Sequence, residues 1–276
     1  MLFRALIAAL ALTGAAVAQE KSLLLERGGS DRLLQVDSPS IDVGLLLGGK
    51  KLQFGPQSVS GLALWLDASD ASTITFGSGV QISNWKDKSG LGNNVAQSIG
   101  GFQPTLQTAG QNGKNTINFS TQSMNLNSTI TAVTTGATVF MVASRASGGT
   151  ITALAAASGF GYALRFLSVD HLYTSVKAGT YLDSGVTGLA AGSYNTLAGT
   201  IGAAGVGTGA IYINGTLSPS SSNLATVSDP IFYVIGQETS DIANGSIAEL
   251  IYYSKVLSNY ERGRVTAYLK YKWKTP

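Results

Sequence analysis

From about Ser58 onward the chain is a succession of short apolar or alternating runs separated by Gly, Asn, Ser and Pro. That rhythm predicts an all-β sandwich rather than helices. Strands are expected over 61–67 (GLALWLD), 80–85, 116–119, 138–144, 162–169, 194–201, 210–213, 231–235 and 247–253. Nine strands in one domain suggest a jelly roll. Ile211-Tyr212-Ile213 is followed by Asn214-Gly215, and a two-residue Asn-Gly turn supplies the positive φ angles that match strand twist, so a hairpin is expected there.

The pattern changes at the C-terminus. Leu257, Val265, Leu269 and Trp273 recur at helical spacing with Tyr268 beside them, which predicts an amphipathic helix over 258–273. Ser258 and Glu261 fit a capping box, in which each side chain satisfies an amide left free in the first turn.

Before Ser58 the pattern is different again. Residues 1–18 have a short positive start at Arg4, an apolar stretch over 5–12, a break at Gly14 and the small-x-small sequence Ala16-Val17-Ala18. These are the parts of a secretory signal, with cleavage expected after Ala18, and the stretch is too short to span a membrane. Residues 19–57 form an arm in which Leu23-Leu24-Leu25 recurs approximately as Leu45-Leu46-Leu47, with Leu33-Leu34 between them. Three consecutive leucines in an extended segment point to both faces of a strand. Burying each would stabilise by roughly 1.5–3 kcal/mol, which requires a second surface. The arm is therefore expected to build a homo-oligomer, such as a trimer, or to dock onto a larger particle; the other reading is an edge strand added to its own domain.

Composition narrows the chemistry. Only 12% of the 276 residues are charged against 44% hydrophobic, which excludes a disordered, highly charged chain. The absence of Cys and the presence of a single His remove disulfides, thiolate metal sites and most histidine-dependent catalysis. The net charge of +3 is concentrated at the end of the chain, where Lys255, Arg262, Arg264, Lys270, Lys272 and Lys274 face one acid, Glu261. Solubility and compensation of the helix dipole account for this stripe. With no aromatic platform expected between its cations, no nucleic-acid partner is predicted.

A family resemblance emerges from particular residues. Leu64-Trp65-Leu66-Asp67-Ala68-Ser69-Asp70, then Trp85-Lys86-Asp87-Lys88-Ser89-Gly90, then Gln103-Pro104-Thr105 and Ile117-Asn118-Phe119, resemble the opening of a LamG-like, concanavalin A-like jelly roll of the lectin and glucanase type. Ile247 to Tyr253, followed by the terminal helix, resembles that family's last strand and helix. The resemblance covers nearly all of 58–273 and implies an all-β, concanavalin A-like jelly-roll sandwich with one C-terminal α-helix, here preceded by an extended N-terminal arm. A Leu-triplet arm ahead of such a module also resembles bacteriophage fibre and virion-surface proteins, which implies a place on a virion surface or outside the cell.

The family includes glucanases, whose hydrolysis needs paired carboxylates. No E-x-D-x-E run and no G-x-S-x-G elbow occurs in the chain, and no acid lies between Asp87 and Asp170. A hydrolytic pair would have to come from Glu238 or Asp241 in loops, so a non-enzymatic protein is expected. Calcium is the one cofactor considered: Asp87, Asn93 and Asn94 would present oxygens from one loop, although Asp87 could equally close a turn through its own backbone. Sugar recognition needs flat rings beside hydrogen-bonding groups. Tyr162, Arg165, His171, Tyr173, Tyr181 and Tyr194 are the candidate rim for contact with host-surface glycans, whereas Trp65 and Trp85, each inside an apolar run, are read as core.

Overall fold

The computed structural model describes residues 21–25, 32–36, 46–47, 50–51, 54–131, 136–155, 162–166, 172–177, 180–186, 189–202, 209–218, 231–236 and 243–276. The chain divides into two compact units, Met1–Gln53 and Phe54–Pro276.

In the first unit, β1 (Lys21–Leu25) pairs antiparallel with β2 (Arg32–Val36), and β3 (Leu46–Leu47) with β4 (Lys50–Lys51). The β1–β2 register sets Leu23 opposite Leu34 and Leu24 opposite Leu33. Neighbouring pairs alternate between faces, so leucine positions fall on both sides of this ribbon.

The second unit is a sandwich of two antiparallel sheets. The first contains β5 (Leu62–Asp67), β9 (Thr105–Gln111), β10 (Lys114–Ser120), β12 (Ala137–Arg145), β17 (Asn195–Ile201), β18 (Gly209–Ile213), β19 (Thr216–Leu217) and β21 (Asn244–Tyr253). Its order is β19-β18-β17-β12-β21-β10-β9, and β5 also pairs with β21. The long β21 therefore meets β10 along its first half and β5 along its second, with β12 on its other side. The predicted Asn-Gly hairpin is present, with Asn214 and Gly215 both at positive φ.

The second sheet contains β6 (Ile74–Phe76), β7 (Ile82–Trp85), β8 (Val95–Ala96), β11 (Met124–Thr131), β13 (Ile151–Ala155), β14 (Tyr162–Phe166), β15 (Leu172–Lys177), β16 (Thr180–Asp183) and β20 (Ile231–Gly236). Its order is β16-β15-β14-β13-β20-β11-β8-β7-β6. Val139, Met141, Leu250, Tyr252, Leu64 and Leu66 from the first sheet meet Trp85, Val95, Leu126, Ile151, Leu164 and Ile235 from the second in one buried core.

Strand β21 is buried on both faces because the outer side of the first sheet is covered by helix α1 (Asn259–Trp273). Val265, Leu269 and Trp273 pack on Trp65, Phe140, Ile251 and Tyr253, with Leu257 closing the entry to the helix. At roughly 1.5–3 kcal/mol for each large apolar side chain, this layer contributes far more than helix propensity. The capping box forms as expected: Ser258 Oγ accepts from the Glu261 amide at 3.3 Å and Glu261 Oε2 accepts from the Ser258 amide at 2.9 Å. Trp65 and Trp85 are core residues, Trp85 facing the opposite sheet and Trp65 facing the helix.

Candidate functional site

Helix α1 packs on the outer side of the first sheet, whereas the outer face of the second sheet carries no helix among the described residues. One row of paired residues crosses all nine strands, although most of the strand pairs also contain a bulge. Tyr181 lies opposite Ser175, which lies opposite Tyr162, and the row continues through Ala155, Val234, Asn125, Ala96 and Asn84 to Thr75. A second row runs from Asp183 through Tyr173 and Arg165 to Thr152. The alternate positions Leu164, Leu182, Ile151, Ile235, Leu126 and Trp85 belong to the core, which places both rows on the side away from it.

Four of the predicted rim residues, Tyr162, Arg165, Tyr173 and Tyr181, thus share one face on three neighbouring strands. The sequence could not show this, because a bulge between Tyr162 and Arg165 restores the parity that their odd spacing would break. The side chains of the three tyrosines, and all of His171, lie outside the described residues; Arg165 is buried. Tyr194 does not join them. It immediately precedes β17 in the other sheet, packs in the layer beneath α1, and donates its hydroxyl to Thr116 Oγ1 at 3.1 Å. The chain crosses between sheets ahead of it, so proximity in sequence does not become proximity in space.

Toward the β6 edge the face opens. Asn125 and Thr75 are exposed, and Asn84, Ala96 and Val234 are half-buried. Two polar atoms on this face, Thr152 Oγ1 and Asn84 Oδ1, have no hydrogen-bond partner although both are shielded from water. Such an atom costs about 1–3 kcal/mol unless something satisfies it. Beside the same edge, four large apolar side chains stand exposed: Phe76, Val80, Ile99 and Phe102. Their segments are tied together by the Leu106 amide on Val80 O (2.9 Å), the Gly77 amide on Gln81 O (2.9 Å) and a bridge between Gln81 and Thr105. No sequence signal singles them out, because isolated apolar residues in loops are ordinary; only the fold gathers them into one rim.

The loop considered for calcium is organised around Asp87 itself. Oδ1 accepts from the amides of Trp65 (2.9 Å) and Ser89 (2.8 Å), and Oδ2 accepts from Ser89 Oγ (2.6 Å) and the Asn93 amide (3.0 Å). Asn94 Oδ1 holds the Asp87 amide, and Asn93 Nδ2 donates to Ala63 O. This is the turn reading, with the carboxylate pinning the loop to β5. Among the described residues no group of three or more His, Asp or Glu side chains is placed to hold a metal ion.

One carboxylate pair does exist, on the covered face. Asp67 and Glu249 lie directly opposite each other on β5 and β21, an arrangement that like charges disfavour. Lys272 of α1 resolves it, with Nζ 2.6 Å from Asp67 Oδ1 and 2.7 Å from Glu249 Oε2. Glu249 Oε1 also accepts from Trp65 Nε1 (2.7 Å) and Tyr268 Oη (2.9 Å), and Oε2 from Trp273 Nε1 (2.6 Å). Burial, reinforced by the Asp67 charge, raises the Glu249 pKa against the pull of Lys272. All its hydrogen-bond partners are donors, however, and they suit the ionised form. Asp67 is also pushed up by burial, but the charge and hydrogen bond of Lys272, together with Ser69 and Lys88, bring it below its ordinary value. Glu249 is wholly buried and every lone-pair direction is filled, so no glycosidic oxygen can reach it. Instead, the pair fastens the helix to the sheet. Glu238 and Asp241, the loop acids considered for hydrolysis, lie outside the described residues.

Two antiparallel sheets, one covered by a helix on its outer side and the other presenting exposed Asn125 and Thr75 toward its β6 edge, define a concanavalin A-like jelly roll. The chain belongs to the concanavalin A-like lectin/glucanases superfamily, whose model matches residues 112–261. Among solved structures, it is similar to domain 4 of AbnA, a GH43 extracellular arabinanase from Geobacillus stearothermophilus, in complex with arabinotriose (13% identity, TM-score 0.53, 74% of this chain and 98% of that one). It is likewise similar to the binding domain of Paraclostridial Mosquitocidal Protein 1 (15% identity, TM-score 0.53, 78% and 55%). Similarity extends to Trypanosoma rangeli sialidase in complex with 2,3-difluorosialic acid (14% identity, TM-score 0.50), of which the chain spans only 34%. At such identities the likeness is one of fold. No curated protein matches the chain.

Proposed function

We propose that this is a non-enzymatic adhesion protein that contacts host-surface glycans through the outer face of its nine-stranded sheet. The observation that carries the reading is the continuous row from Tyr181 to Thr75, with tyrosine positions at one end and exposed amide and hydroxyl side chains at the other. The partnerless Thr152 Oγ1 and Asn84 Oδ1 lie on the same face. The arabinotriose complex of the AbnA domain supports the reading by fold alone. Leucine positions on both sides of the β1–β2 ribbon support assembly of several copies, because an isolated two-stranded ribbon is marginal in water. Together, arm and sandwich fit a fibre or decoration component displayed on a phage virion. The signal-like segment over residues 1–18 favours a second reading, a secreted bacterial lectin-like module.

A glycan array followed by calorimetric titration tests the binding. Asn125→Ala, and Tyr162→Ala with Tyr181→Ala, are expected to weaken the best glycan at least about tenfold, close to 1.4 kcal/mol, with thermal stability retained. Unchanged affinity would remove the site from this face, and an array without hits would remove the function. Light scattering on the full chain and on Leu24→Asn/Leu33→Asn tests the assembly: a multimer that the substitutions dissociate is expected, and a monomer in both cases refutes it.

A further inference from the structure

The outward face of α1 carries a feature that neither the sheet-face site nor the helix lock uses. Positions 260, 264, 267 and 271 repeat at i, i+4, i+7 and i+11, which is one side of a helix. Tyr260 and Tyr271 on that side are 67% and 55% exposed. The Arg264 guanidinium lies 3.9 Å from the centroid of the Phe54 ring and 5.6 Å from that of Tyr260, while Lys274 Nζ lies 4.5 Å from that of Tyr271. The cations of this helix are thus interleaved with aromatic rings, contrary to the sequence expectation.

Lys272 is consumed inside by Asp67 and Glu249. Arg262 rests on the Tyr212 ring and bonds Asn259 Oδ1, and Lys270 bonds the carbonyl of Asn214. Arg264 and Lys274 meet no carboxylate among the described residues, so their charge faces outward uncompensated. A guanidinium that contacts an aromatic ring through its cation–π attraction still has N–H donors to offer a planar carboxylate. Tyrosine rings offer flat faces to the C–H surface of a sugar ring.

We infer that this aromatic and cationic stripe, formed by Tyr260, Arg264, Tyr271 and Lys274 with Phe54 beneath, is a second saccharide-binding surface selective for an acidic polysaccharide. Charge spacing sets the class of ligand. Arg264 lies about 13 Å along the axis from the end of α1 at Trp273, and Lys274 follows as the left-handed C-cap, whereas duplex DNA carries one charge per roughly 1.7 Å and requires a broad, dense positive face. A polymer with carboxylates separated by neutral sugars matches the sparse cations, and its uncharged rings match the tyrosines between them. The surface lies on the opposite layer from the sheet-face site and does not depend on it.

The test uses the full chain with hyaluronate, which carries one carboxylate per disaccharide, beside neutral dextran, duplex DNA and anionic vesicles. Calorimetry is expected to show salt-sensitive binding to hyaluronate that is absent for dextran and at least about tenfold weaker for DNA and vesicles. Arg264→Gln/Lys274→Gln and Tyr260→Ala/Tyr271→Ala should each lower hyaluronate affinity by about tenfold or more, with thermal midpoints near that of the parent. Tyr181→Ala should leave it unchanged, which separates failure here from failure of the sheet-face site. The inference is overturned if hyaluronate does not bind, if DNA or vesicles bind as well as hyaluronate, or if the tyrosine pair can be removed without loss.

Discussion

Replacing Lys272 by Met keeps the aliphatic stem that crosses the helix–sheet boundary and removes only the cation. In the native fold Nζ sits within 2.7 Å of both Asp67 and Glu249, and the side chain is only 14% exposed. Without it, two carboxylates face each other across paired strands, with Lys88 on Asp67 Oδ2 at 2.9 Å as the remaining ion-pair partner. Removing one member of a buried ionic cluster typically costs about 3–5 kcal/mol. For a unit of this size that is a fall of roughly 6–20 °C in thermal midpoint. Urea titration and calorimetry would read it. Adding Asp67→Asn to Lys272→Met should relieve the repulsion, so the double variant should be more stable than the sum of the two single losses by at least about 1 kcal/mol. If Lys272→Met falls within about 1 kcal/mol of the parent, or if the two losses simply add, the cation is not what holds the opposed acids.

Three further outcomes follow from the same geometry. Gly236→Ala should destabilise by more than about 2 kcal/mol in denaturant titration, because φ is +97° and a Cβ would stand 2.5 Å from Phe119 Cδ1 and 2.9 Å from the Gln122 carbonyl oxygen. Ser258→Ala removes the acceptor at the helix start and should cost about 1 kcal/mol by the same assay. The third outcome concerns acid. The hydrogen bond from Lys88 draws the Asp70 pKa from its ordinary 3.8 down to about 2, and Asp67 is depressed as well. Both residues therefore stabilise the fold above pH 3.8, a contribution lost as pH falls through their folded values. Glu249, whose pKa is raised, works in the opposite sense: its burial penalises folding as pH rises past its unfolded value. Melting curves between pH 2 and 5 should accordingly show a shallower acid decline in Asp70→Asn than in the parent.

The sequence made the central strands readable and left the peripheral ones obscure, for a physical reason. β12 and β21 are buried on both faces, so their apolar runs declare themselves. β9 reads TLQTAGQ with an exposed middle, because an edge strand in solvent needs no apolar alternation. β11 does alternate, with Met124 and Leu126 inward and Asn125 and Asn127 outward, yet asparagine is a poor strand marker. Of the candidate rim, only the strand positions can be compared with the sequence pattern. Tyr162, Arg165, Tyr173 and Tyr181 share a face, whereas Tyr194 went to the other sheet. The opposed acids had a sequence cue, a charge inside each of the apolar runs LALWLD and IAELIYY, but their pairing exists only once β5 and β21 are in register.

That closure has a consequence for how the protein is made. Trp65 and Glu249, joined by a hydrogen bond, are separated by 184 positions, and the lysine and indole that complete their cluster come later still, at the last turn of α1. During synthesis β5 is among the first strands of the sandwich to emerge, and it has no mate until nearly everything else has left the ribosome. Completion of the sandwich is therefore a late event with a high loop-closure cost. A chain halted before Lys272 and Trp273 would retain two facing acids and an uncovered apolar sheet, ready substrates for chaperone capture or aggregation.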